Sequence, residues 1–205
     1  MKFDFKNVFL SILITLFIIS PYLKRNYDNF DKIVITKSLG YNLLKGNNSH
    51  LKVEGSVNFV KENFNQRNLK IKTDKKYEIN LDNFYKDTAI NLIKKDPIQY
   101  LVLYLKKVLS FLFLDMNSTY PNYYHFLNIV PKVLLSILSF FGGIIALRKK
   151  GFYQYLSIFY FSKILLFSVF FILPRYSLIL LPIQLLLSII SMKFIYSKID
   201  KLIPL

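Results

Sequence analysis

The chain has 205 residues, of which 53% are hydrophobic and 17% aromatic, a formal charge of +16 at pH 7, and no cysteine. Long apolar windows of this kind exclude an ordinary soluble domain and predict an integral membrane protein, and the absence of cysteine excludes disulfides, a thiol nucleophile and a thiolate metal site. The basic balance comes with heavy use of Ile, Lys, Asn, Phe and Tyr and without any long basic run, so it reads as the composition of a low-GC genome, with no nucleic-acid partner expected.

The first apolar run follows a short charged stretch and could pass for a secretory signal. It lacks a small-x-small cleavage site, and bulky Tyr22 and Leu23 follow Pro21, so residues 1–23 read as a retained membrane helix. Crossing about 30 Å of hydrocarbon takes roughly 20 mostly apolar residues. Four segments qualify: 5–23, 126–147, 152–173 and 176–196. Between the first two lies a polar section, 24–125, holding 17 of the 28 basic residues and 10 of the 12 acidic ones, which reads as a solvent-facing domain.

Within that section Ile33, Val34, Ile35 and Thr36 predict a short strand over 32–37. Gly40, Gly46, Gly55 and the Asn47-Asn48 pair predict turns. Residues 69–79 alternate weakly and read as extended, and the spacing of Leu81, Phe84, Tyr85, Ala89, Leu92 and Ile93 predicts a helix capped by Asn80 and ending at Asp96. Asp96-Pro97 then opens a second helix through Leu114. Gln99, Lys106, Lys107 and Ser110 gather on one side of it, and two central lysines would each cost about 2.5 to 3.5 kcal/mol in a crossing helix. The segment is therefore read as an amphipathic helix lying flat at the membrane; a crossing helix would put the C-terminus on the other side. The expected fold is a mainly α membrane protein, with four transmembrane helices and one extracytoplasmic α/β loop domain between the first and second. Residues 126–205 supply three of those helices and a short tail.

Short-loop lysine and arginine set orientation. Lys2 and Lys6, then Arg148, Lys149 and Lys150, then Lys193, Lys198 and Lys201 all fall on one side. Both termini are expected in the cytoplasm of a bacterium, with the large loop and the Leu173-Pro-Arg-Tyr176 connection outside.

Arg25 and Arg175 sit at the outer boundaries of apolar helices, at the depth of a lipid phosphate, which a guanidinium can hold with two parallel hydrogen bonds. The bland alternative is that both reach for ordinary headgroups. Lys163 lies mid-span, where an ionisable group is costly and no span offers an acid to pair with it. Lys132, near an outer boundary, reads as a snorkelling lysine. His50 and His125 lack ligand-like spacing, so no metal and no cofactor is expected. The two Asn-x-Ser/Thr matches at Asn47 and Asn117 are assigned no role in an asparagine-rich chain.

The order of these pieces resembles the C-terminal part of a GT-C glycosyltransferase of the protein-mannosyltransferase and aminoarabinose-transferase type. The matching residues are Pro21, Tyr22, Arg25 and Asn26, then Gly40, Tyr41, Asn42, Leu43, Gly46, Asn47, Asn48 and Gly55. Lys107, the run Pro174, Arg175 and Tyr176, and Pro182 follow in the same order. The resemblance implies a polyprenyl-phosphate-linked sugar as donor, met by Arg25, Asn26, Gly40, Tyr41, Asn47, Asn48, Lys163, Arg175 and Tyr176. It also implies that the general base lies in the first outer loop of a missing N-terminal half, so no catalytic residue is assigned here and the chain is expected to be inactive without that partner. The alternative expectation is a non-catalytic, membrane-anchored binding protein. A small transporter is disfavoured by the lack of inverted repeats and of paired intramembrane charges.

Overall fold

A computed structural model describes residues 5–64, 71 and 74–202. Among them are eight helices and no strand: α1 (Phe5–Phe30), α2 (Leu39–Gly46), α3 (Val57–Asn63), α4 (Tyr77–Lys95), α5 (Pro97–Leu112), α6 (Phe126–Leu147), α7 (Phe152–Ser168) and α8 (Tyr176–Leu202). Three of these, α1, α6 and α8, are long and apolar enough to cross a membrane. The chain is thus a mainly α protein of membrane-spanning character.

Two expectations fail, for identifiable reasons. Among its described residues the loop section holds helices and no strand, so the expected α/β character is not found there. Residues 32–37 have β-forming side chains but no neighbouring strand, and α1 takes their carbonyls instead: Asn26 Nδ2 donates to Val34 O at 2.7 Å and Tyr22 Oη to Ile35 O at 3.0 Å. The expected extended run over 69–79 lies mostly outside the described residues, and from Tyr77 the chain is already helical.

Nor are there four long spans. The helix expected over 152–173 stops at Ser168, after 17 residues, about 25 Å of rise and short of the hydrocarbon thickness. Residues 169–173 leave the helix because the section between α1 and α6 binds their backbone. Asn47 Nδ2 donates to Val169 O at 2.9 Å, and Ile172 N–H donates to Val53 O at 2.9 Å. Phe171, Ile172 and Leu173 are buried by this docking.

Asn80, expected to cap α4, lies one turn inside it, and α1 runs past Leu23 to Phe30, whereas the start of α5 follows the sequence closely. Asp96 accepts from Gln99 N–H at 3.1 Å with Pro97 in the first turn, as a proline-primed N-terminus requires. α1 continues through Pro21 and carries Arg25 and Asn26 on its last turns.

Two apolar clusters organise the chain. Leu44, Phe59, Val60, Leu81, Tyr85 and Ala89 join α2, α3 and α4. Phe111, Ala146, Tyr160, Ile164, Leu180 and Leu187 join α5 to α8. Of the polar side of α5, Lys107 and Ser110 are buried and Gln99 and Lys106 exposed, while Ile98, Leu101, Val102, Leu105 and Leu109 form an exposed apolar face.

Candidate functional site

The stretch Gly40–Asn48 is a helix with its exit, not a series of turns. Ser38, at its N-cap, makes no side-chain cap bond; Asp82 of α4 caps it from outside, its two carboxylate oxygens accepting from Gly40 N–H and Tyr41 N–H at 3.0 Å each. Glycine at 40 permits the approach, since a Cβ there would stand 1.9 Å from Asp82 O. Asp82→Ala is expected to cost about 1 to 3 kcal/mol through two orphaned helix N–H groups, read as lower helicity and a lower melting temperature by circular dichroism; an unchanged melting curve would refute the cap.

At the other end Gly46 packs on Phe170 O, 2.1 Å from where its Cβ would be. Asn47 is buried, its Nδ2 shared between Leu43 O and Val169 O and its Oδ1 accepting from Lys107 Nζ at 2.9 Å. Asn48 is fully buried, donating to Lys45 O at 2.6 Å and accepting from His50 N–H at 2.9 Å. Gly55 adopts φ +75°, the turn conformation that favours glycine. Tyr41 is half-buried, edge-on to Tyr85. The amides of this motif are thus engaged in fastening α2 to α5 and to the segment after α7.

What that fastening displays is a pair of cations. Lys45 Nζ lies 3.9 Å from the centroid of the Phe171 ring, and the Arg175 guanidinium 6.0 Å from that of Tyr176. The two rings are themselves neighbours at 5.9 Å. Burial first, and the Arg175 charge second, hold the Lys45 ammonium below its ordinary pKa. Among the described residues neither cation has a carboxylate in ion-pair contact. Phe171 and Tyr176 also wall a groove of about 340 Å³ that continues along Phe167, Phe170 and Ile179, with Leu39 and Asn42 of α2 opposite.

The remaining sequence-predicted residues lie elsewhere. Arg25 is exposed and lines a second groove, of about 190 Å³, with Tyr22, Asn26, Val34 and Thr36; Thr36 also lines the first groove. Asn26 is buried and holds Val34. Lys163 stays over its own helix neighbour, 5.1 Å from the Phe159 ring centroid. Sequence reasoning singled out Arg175 and Tyr176 but passed over Lys45, whose only signal was its place inside the Gly40–Asn48 motif.

Fold and site together define a mainly α membrane protein that presents two uncompensated cations beside an aromatic, apolar groove. No family model, curated protein or solved structure matches the chain.

Proposed function

We propose that this chain is the C-terminal half of a GT-C membrane glycosyltransferase, moving a sugar from a polyprenyl-phosphate donor to an acceptor at the outer membrane face, and inactive without an N-terminal half. The observation that carries the reading is the Lys45 and Arg175 pair at Phe171 and Tyr176, next to the groove. Two like charges set together without an acid gain most from a bound dianion, and charge-assisted hydrogen bonds to phosphate are among the strong ones. The groove offers a polyprenyl chain aromatic and aliphatic walls.

In the reaction a carboxylate of the N-terminal half removes the acceptor hydroxyl proton as its oxygen bonds the anomeric carbon. The sugar–phosphate C–O bond breaks and the electron pair leaves on the phosphate, where Lys45 and Arg175 stabilise the growing charge. In the proposed topology the clusters around Lys6, Lys149 and Lys198 are cytoplasmic, α5 lies in the interface with its exposed apolar face in lipid, and α7 completes the bundle without being a full-length span.

A second reading, a non-catalytic membrane-anchored binding protein, is favoured by the internal engagement of the Asn47 and Asn48 amides. The test is polyprenyl monophosphate binding to the chain in nanodiscs by native mass spectrometry. Loss of two charge-assisted contacts in the double variant Lys45→Gln/Arg175→Gln is expected to weaken binding at least about tenfold; wild-type binding by that variant sinks the site. Sugar transfer by this chain together with a co-purifying upstream membrane protein separates the transferase from the binding protein.

A further inference from the structure

The first turn of α8 has a groove on each side. Tyr176 and Ile179 face the one already described; Ser177, Leu178 and Leu181 face another, of about 240 Å³, walled by α6 through Lys132 and Leu135. α6 and α8 press together where Gly142 meets Leu187, and they part toward Pro131 and Ser177 to leave this opening. Both helices are of membrane-spanning length and character, so the groove runs into the bilayer from one end of the bundle.

At its head Lys132 and Ser177 also line a small adjoining cavity, of about 10 Å³, shared with Asp115 and Tyr123. Lys132 Nζ donates to Tyr123 Oη at 3.1 Å, and Asp115 N–H donates to the same oxygen at 2.9 Å. The phenol oxygen is therefore an acceptor twice over, and its own proton has no acceptor among the described residues. Lys132 retains two further ammonium donors and has no carboxylate in ion-pair contact among those residues. The charged groups facing this point are Asp115, which lines that same cavity, and Glu54. Asp115 Oδ1 is held by Asn117 N–H, and Glu54 is held by Ser118 and Thr119, so neither carboxylate closes on Lys132. Burial, with these two acids, pushes the Tyr123 phenol above its usual pKa, which keeps its proton in place to donate.

We infer that the groove between α6 and α8 holds an anionic membrane phospholipid, its chain against Leu135, Leu178 and Leu181 and its phosphate on the Lys132 ammonium and the Tyr123 hydroxyl. A phosphate oxygen supplies the acceptor that the phenol and the spare ammonium protons lack, and the aliphatic walls select a lipid over a soluble phosphate. The site stands apart from the transferase reading and survives its failure.

The chain contains no tryptophan, so Leu178→Trp installs a sole indole, excited at wavelengths the 15 tyrosines do not absorb, on an exposed position of the groove wall. The full chain in phosphatidylcholine nanodiscs is doped with dibrominated phosphatidylglycerol or dibrominated phosphatidylcholine. The phosphatidylglycerol preference in quenching is expected to be about fivefold, from one lysine on an anionic headgroup. It is expected to vanish in Lys132→Gln, to fall in Tyr123→Phe and to persist in Lys132→Arg. Leu127→Trp, on the first turn of α6, serves as second reporter if the first variant does not fold, and Leu186→Trp, further along α8, should show no preference. Equal quenching by the two lipids, a preference unchanged by Lys132→Gln, or abolition of the preference by soluble glycerol phosphate would each overturn the proposal.

Discussion

Replacing Gly142 by leucine is expected to separate α6 from α8 and to abolish the folded monomer in mild detergent. A Cβ at 142 would sit 1.8 Å from Leu187 O and 2.6 Å from Leu187 C, so the obstacle is backbone, which cannot rotate aside. Close approach of this kind is what small residues provide between membrane helices, where packing rather than the hydrophobic effect holds the pair. The contact also sets the register of the polar core, in which Ser139 and Gln184 reach the Tyr160 hydroxyl at 3.3 and 3.4 Å. Overpacking a side chain costs about 1 to 3 kcal/mol; displacing a helix costs more, and the expectation is a collapse of the size-exclusion peak on gentle heating. Gly143→Ala is the comparison, because its Cβ would meet side chains and no backbone, the Phe161 ring edge at 2.9 Å and Ser157 Oγ at 3.4 Å. If Gly142→Leu and Gly143→Ala melt alike, the backbone contact is not what holds the pair.

Lys107→Met is expected to stabilise the chain at neutral and acid pH. Lys107 is fully buried, its ammonium held by Asn47 Oδ1, and burial alone pushes its pKa from 10.5 down to about 7. Because the folded pKa lies below the unfolded one, the unfolded chain binds more protons between about 7 and 10.5, and wild-type stability rises with pH across that window. Below about pH 7 the full cost of the buried charge is present, on the order of 5 kcal/mol from a pKa difference of this size. Methionine removes that cost but leaves Asn47 Oδ1 without its donor, which gives back about 1 to 3 kcal/mol. The variant should therefore melt above wild type at about pH 6 and below it once both states of wild type are neutral. A difference in melting temperature that does not change across the window would show that Lys107 does not titrate there.

The elements legible in the sequence were those specified locally. Asp96-Pro97 carries its own cap and first-turn geometry, and the apolar runs of α6 and α8 are long enough to need no context. What failed was specified at a distance. Lys32 to Lys37 has strand-forming side chains, yet Asn26 and Tyr22 reach its carbonyls before any strand does. The glycines at 40 and 46 read as turn formers because nothing in the sequence shows Asp82 or Phe170 arriving against them. α7 ends early because Asn47 and Val53 claim the backbone of residues 169–173 from more than a hundred positions away. The site divides in the same way: a guanidinium at a helix boundary announces itself, whereas Lys45 becomes notable only once Phe171 lies beneath it.

α1 has a mechanical consequence for the segment that follows it. None of its apolar window is buried, and it is tied to the next segment by the bonds from Tyr22 and Asn26 to the carbonyls of Ile35 and Val34 and by Lys37 Nζ, 4.5 Å from the Phe30 ring centroid. Its 26 residues rise about 39 Å, of which the apolar stretch from Phe5 to Leu23 supplies about 28 Å and the polar last turns, with Arg25 and Asn26, reach beyond the hydrocarbon. A bilayer thinner than that stretch tilts α1. Each change in that tilt pulls on Val34 and Ile35, and through them on Thr36, whose side chain borders both the Arg25 and the Phe171 grooves.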